Sequence, residues 1–199
     1  MVDLGRKRSS LRAPGDAFHC SGKPIGEELL RFWQWSSSDL LSNARRGVLA
    51  EFIVACALGC DLSEPRDEWA AHDLTTPEGI KVEVKSAAFL QSWNQPKGLS
   101  TISFSIKESL PWDPDTNKQG RVKERSADVY VFCLLAHMDK ATVDPLDLDQ
   151  WRFFVLPIVV LNAYTRSRHS ITLKSLRMLA PALAYAQIRD AVNNLNPIT

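Results

Sequence analysis

The sequence lacks a long hydrophobic run, a paired-cysteine framework, clustered histidines and any marked net charge. Its longest apolar stretch, Phe153 to Leu161, is broken by Pro157. It falls short of the roughly 20 residues that span a bilayer, so no membrane partner is expected. The stretch around Arg6-Lys7-Arg8 is polar where a signal peptide would carry its apolar core, which leads to the expectation of a cytoplasmic protein. The four cysteines, Cys20, Cys56, Cys60 and Cys133, show no disulfide-like spacing and read as reduced thiols. Cys56 and Cys60 stand four apart, but no CxxC or HxxxH pattern completes a metal set. Cys56 is expected on an apolar helix face, which makes both core thiols. His19, His72, His137 and His169 are scattered, and His72 alternates away from Asp73 on its strand. A net charge of +1 neither demands nor excludes nucleic acid, so any electrostatic footprint must be local. No internal repeat or low-complexity tract is present.

What remains is the composition of a soluble globular protein, 45% hydrophobic and 24% charged, long enough for one domain with a sizeable core. Residues 1–25 are basic and contain Gly and Pro, so a flexible arm is expected there. Arg6, Lys7, Arg8 and Arg12 can serve it as phosphate contacts or simply as a solvated tail. Residues 26–199 then form a single domain.

The most informative stretch is EWAAHDLTTPEGIKVEVKSA, residues 68 to 87. Ile80, Val82 and Val84 alternate with Lys81, Glu83 and Lys85, the period of a half-buried strand. Pro77-Glu78-Gly79 suits a three-residue hairpin loop, with Pro starting a type I turn and Gly taking the left-handed position. A bend there pairs Thr76 with Ile80, Leu74 with Val82 and Asp73 with Glu83. Two carboxylates then face each other with an ammonium one step along. Like charges directly opposite destabilise a sheet unless something neutralises them, and a divalent cation with hard oxygen ligands would do so. The competing reading is a solvated strand face of Lys81, Glu83 and Lys85 that discourages edge pairing.

Before this hairpin, residues 27–35 are expected to form a short helix. A longer one is expected to start at the capping-box-like Ser36-x-x-Asp39 and end at Gly59. Leu40, Leu41, Ala44, Val48, Leu49, Phe52, Ile53 and Cys56 recur at helical spacing as its apolar face. Glu51 interrupts that pattern, with Gly47 and Ala55 one turn before and after. These small residues leave room for a carboxylate to reach a neighbouring strand. Alternatively, Glu51 marks the solvent side and pairs with Arg45 or Arg46.

A helix bearing Glu51, then Asp73 on one strand and Glu83-Val84-Lys85 on the next, resembles the PD-(D/E)xK superfamily of restriction-endonuclease-like nucleases. The similarity lies in RGVLAEFIVACALG followed by WAAHDLTTPEGIKVEVKSAAF, within about residues 36–90. One departure is His72, which stands where the motif has Pro. The resemblance implies an α/β fold with a restriction-endonuclease-like core, a central mixed β-sheet flanked by helices. It implies Mg²⁺, with Mn²⁺ able to substitute, held by Asp73, Glu83 and the backbone carbonyl of Val84. Lys85 would orient the attacking water or stabilise the transition state, and Glu51 would hold a second ion or orient the first. Gln91 is a further contact to water or phosphate, or a plain loop residue. The implied activity is hydrolysis of DNA phosphodiester bonds by metal-activated water. Many relatives pair as homodimers to cut both strands.

The later chain reads as support. Ile102, Phe104 and Ile106 alternate with Ser103, Ser105 and Lys107. Ser105 and Lys107 either face the substrate or are ordinary solvent-facing residues. Residues 108–126, with Pro111, Pro114 and several basic side chains, are expected to be a long polar connection. Asp128 after it is a turn residue or a partner for Arg125. Val129–Leu135 is expected as a central strand buried on both faces, Trp151–Leu156 and Ser170–Leu173 as further strands, and Ala182–Leu195 as a closing helix. Two other functions compete with the nuclease: a catalytically inactive nucleic-acid-binding or structural relative, and a glycoside hydrolase built on the paired acids. Lys85 beside the acids, and the want of an aromatic-lined sugar site, argue against the glycosidase.

Overall fold

The computed structural model describes residues 2, 4–113 and 115–195. Met1 and Asp3 of the expected arm, Pro114 of the polar connection and residues 196–199 of the expected domain lie outside the described residues. The chain begins with β1 (Ala17–Cys20), β2 (Lys23–Glu28), α1 (Leu29–Ser37) and α2 (Asn43–Leu58). Then come β3 (Leu74–Thr75), β4 (Lys81–Ala88), β5 (Ser103–Ser105), β6 (Trp112–Asp113), β7 (Lys118–Gln119) and β8 (Val129–Leu135). It closes with β9 (Trp151–Pro157), α3 (Ile158–Asn162), β10 (Ser170–Thr172), α4 (Leu173–Leu179) and α5 (Ile188–Asn193).

Every residue of β8 is buried, and its apolar run without alternation is what a strand covered on both faces requires. It pairs parallel with β4 and antiparallel with β9, while β3 pairs antiparallel with the far edge of β4. The result is a mixed α/β protein whose central mixed sheet, in the order β3-β4-β8-β9, is flanked by helices as expected. On one face Val129, Val131, Cys133 and Leu135 pack with Ala50, Ile53 and Val54 of α2 and with Ile188 and Val192 of α5. On the other, Tyr130, Phe132 and Leu134 meet Phe104 of β5, Ile171 of β10, Leu161 of α3 and Leu176 of α4. Phe104 meets the edge of Phe132 with ring centroids 5.2 Å apart. Each such large apolar side chain contributes about 1.5–3 kcal/mol when fully buried. No described helix is long and apolar enough to cross a membrane.

The long helix departs from its expected start and face. Asp39 makes a turn of its own, its carboxylate accepting the N–H groups of Leu41 and Ser42, so it does not close a box with Ser36. Ser42 caps α2 instead, accepting from the N–H of Arg45. Gly59 ends the helix in the left-handed region at φ +69°, as expected. The buried face is Arg46, Ala50, Ile53, Val54, Ala55 and Leu58, whereas Val48, Phe52 and Cys56 are exposed. Small residues at Ala50 and Val54 let α2 lie close on β4, and that sets the rotation.

Arg46 is only 3% exposed and has no carboxylate partner among the described residues. Its guanidinium donates to Ser86 Oγ, the Leu41 carbonyl, Gln91 Oε1 and Asn43 Oδ1. Burial holds its pKa below the usual arginine value. Arg46→Ala strands these acceptors and is expected to cost about 2–3 kcal/mol. Chemical denaturation checks this through a lower midpoint at unchanged slope.

Other segments differ in detail. The segment expected as an arm contains β1 and the first half of β2, which pair as a hairpin. The expected helix at residues 27–35 is α1, set two residues later. Within residues 108–126, β6 and β7 pair as a small hairpin, with a further bridge between Ser109 and Glu124. Arg125 turns to Glu108 and Asn162 rather than to Asp128, which accepts the N–H of Lys81. The closing helix shortens to α5 because Leu183 is drawn into a two-bond bridge with Phe153 of β9.

Candidate active site

The bend at Pro77-Glu78-Gly79 sets the site. The Gly79 N–H donates to the Thr76 carbonyl at 2.9 Å, and Gly79 sits at φ +86°, where a side chain would be strained. The Thr76 N–H donates to the Ile80 carbonyl, which fixes Leu74 opposite Val82 and Thr75 opposite Lys81. One step further, Asp73 stands opposite Glu83. Counting from the bonded Thr76–Ile80 pair, this is a non-hydrogen-bonded position, where facing side chains are closest.

Asp73 lies just beyond β3, and its side chain takes over where the ladder stops. Its Oδ2 accepts the N–H of Val84 at 2.7 Å. The N–H and C=O of one strand residue leave on the same side, so the Val84 carbonyl also points towards Asp73. Burial, then the charge of Glu83, push the Asp73 carboxyl above its usual range, against the Val84 N–H, Lys85 and Arg66. The two acids therefore feel each other, although burial is the larger cause of the shift.

Lys85 leaves β4 on the same face as Glu83 and forms an ion pair with it, the two side chains being 30% and 19% exposed. Beside them on β8 lie Tyr130 and Phe132, in register with Glu83 and Lys85. Burial and then the Glu83 charge push the Tyr130 phenol up to about 12, so it stays protonated near this pair. His72 bonds Thr75 Oγ1 and keeps a structural place.

Glu51 is 13% exposed on α2, with open space before Gly47 one turn earlier. Neither Arg45 nor Arg46 pairs with it. Arg66 does, donating from both Nε and Nη2 and reaching Glu68 at 3.5 Å with Nη1. The charge of Asp73 also bears on Arg66, so this guanidinium links Glu51 electrostatically to the acid pair. Among the described residues, no three His, Cys, Asp or Glu side chains stand close enough to share one ion. The structure thus brings Asp73, Glu83, Val84 and Lys85 together, and holds Glu51 aside on Arg66.

The remaining candidates lie elsewhere. Gln91 is buried, its amide bonded to Arg46, the Ala88 carbonyl and Ser100, which leaves it no face towards a substrate. Ser105 and Lys107 are exposed on the outer side of the β5 segment, opposite the core-facing Phe104 and Ile106. Sequence reasoning missed Arg66 and Tyr130. Tyr130 hides in an apolar run, and Arg66 sits in a loop without periodicity, its one signal being the acids Glu64, Asp67 and Glu68 around it.

Two carboxylates and a carbonyl form a hard-oxygen donor set, and burial followed by the Glu83 charge disfavours an ionised Asp73 there without a cation. These residues fit a divalent cation such as Mg²⁺, which binds through one or two carboxylates and keeps several waters. Nothing among curated proteins matches the chain. A family model described as bacteriophage T4 endonuclease IV matches residues 28–169, from the last residue of β2 to the residue before β10. That span holds α2, the acid hairpin and the whole central sheet, well over half of the sequence. The protein therefore belongs to the bacteriophage T4 endonuclease IV family.

Proposed function

We propose that the chain is a metal-dependent nuclease of the PD-(D/E)xK type that hydrolyses DNA phosphodiester bonds. The observation that carries this reading is the hairpin register, which sets Asp73 beside Glu83 with Lys85 one step along the same strand face. The family match supports a phosphodiester-cleaving role for the chain. Asp73, Glu83 and the Val84 carbonyl would hold Mg²⁺ or Mn²⁺. When bound, the cation supplies Lewis acidity, acidifying water and offsetting the charge that builds on the scissile phosphate. Lys85 gives an ammonium, steered by Glu83, to orient the attacking water or to meet the developing negative charge. The Val84 N–H fixes one Asp73 oxygen and so orients the other. Tyr130 walls the site beside Glu83.

Incubating the protein with plasmid, linear and single-stranded DNA, with Mg²⁺, Mn²⁺ or chelator, tests the reading. Cation-dependent cleavage of at least one substrate is expected. Intact DNA in every arm overturns it.

The alternative, a catalytically inactive relative that kept the fold, draws on one observation: Arg66 holds Glu51. If the site is active, Glu51 joins it only by leaving Arg66. Arg66→Ala is then expected to tighten divalent-cation binding about two- to tenfold, because a charge-assisted bond no longer competes. Calorimetric titration with Mn²⁺ checks it, and unchanged affinity would leave Glu51 out of the site.

A further inference from the structure

The net charge of +1 hides a local asymmetry. Beside the Arg66–Glu51 pair opens a cleft of about 1370 Å³ between the N-terminal segment, α2 and the loop that precedes β3. Its cations include Arg6, Lys7, Arg8, Arg45 and Arg66, and Trp69 adds an apolar wall. Acids line it too, but most are spent. Asp67 and Asp115 both bind the Arg6 guanidinium, and Glu68 shares Arg66 with Glu51.

Those pairings gather the negative charge around Arg6 and Arg66 and leave the other cations apart from it. Arg6 ties the N-terminal segment at two points, to the loop before β3 and to the β6–β7 hairpin. The next two residues are carried along with it. Arg8 keeps only a 3.7 Å contact with Asp115, and 80% of its side chain is exposed. Lys7 and Arg45 have no carboxylate partner among the described residues. The lining as a whole is close to balanced, its five cations standing against Glu64, Asp67, Glu68 and Asp115, so the positive excess is local to Lys7, Arg8 and Arg45. A trough of this size with unpaired cations along its wall suits a polyanion, and at Arg66 it reaches the residue that holds Glu51.

We propose that this cleft carries the phosphodiester backbone of the DNA strand to the acid pair, with Lys7, Arg8 and Arg45 as its phosphate contacts. Arg6 is a positioning residue that presents Lys7 and Arg8 by tying the segment down. The proposal rests on the nuclease reading, and it assigns a surface that the acid pair does not supply.

Binding separates the two. Fluorescence anisotropy of a labelled oligonucleotide, in chelator and across a salt series, gives log K against log salt for the whole chain. Lys7→Ala, Arg8→Ala and Arg45→Ala are each expected to flatten that slope by about 0.7–0.9, and the triple variant by about 2–3. The loss should be uniform across DNA sequences. Arg6→Ala should weaken binding at unchanged melting temperature, and Arg6→Lys should restore part of it. If the triple variant keeps the wild-type affinity and slope while the wild type cleaves DNA, the cleft is not the strand's path and the nuclease reading stands. If the wild type neither binds nor cleaves DNA, both fall.

Discussion

Replacing Lys85 by alanine is expected to slow DNA cleavage by about 10²–10³-fold, the usual cost of removing a preorganised group that meets charge in the transition state. Folding and DNA binding should change little. Lys85 is 30% exposed, packs no core position, and is ion-paired with Glu83, a carboxylate that water can solvate once the ammonium is gone. Pairs this accessible contribute about 0–1 kcal/mol to stability. The loss should therefore appear in the single-turnover rate and not in oligonucleotide affinity or melting temperature. Lys85→Arg should recover only part of the rate, because a planar fork cannot take the place of a compact ammonium beside Glu83. Wild-type cleavage by Lys85→Ala would remove Lys85 from the mechanism while leaving the acid pair in place.

Asp73→Asn should move activity and stability in opposite directions. Cleavage should be lost with the cation-binding charge, yet in chelator at pH 7 the variant should melt about 2–4 °C above the wild type. The sign follows from the raised Asp73 carboxyl. A carboxyl whose folded-state pKa lies above its unfolded value of about 3.9 takes up a proton more readily in the folded protein. Its ionised form then costs stability, a cost absent below the unfolded pKa that grows as pH rises through the folded pKa. Asparagine removes that cost and can still accept the Val84 N–H through its amide oxygen. Melting curves at pH 7 and at about pH 3.5 should thus differ between the proteins at the first and converge at the second. Saturating Mg²⁺ should reverse the order by stabilising only the wild type. A variant that melts lower in chelator at pH 7 would show that the carboxylates are not repelling each other.

What the sequence made legible was local. Pro77-Glu78-Gly79 sets a bend, strict alternation follows, and the register of Asp73 on Glu83 needs nothing else. Likewise β8 and β9 read directly from apolar runs. The misreadings came from contacts distant in sequence. The buried face of α2 is centred on an arginine because Ser86 and Gln91, forty and forty-five residues away, supply its acceptors. Gln91 looked like a substrate contact for the same reason, since its partner Arg46 is invisible locally. Glu51 stands out in the sequence as an acid among apolar helix positions, but Arg66 reaches it from an irregular loop. The shortened α5 again reflects a tertiary bond, from Leu183 to β9, winning over helical periodicity.

A divalent cation between Asp73 and Glu83 would make their closeness tolerable. Calorimetric titration of Mn²⁺ into the metal-free wild type, Asp73→Asn and Glu83→Gln measures this without DNA. Saturable binding to the wild type is expected, weakening at least about tenfold in each variant. Equal binding by all three proteins, or no binding by the wild type, would contradict it.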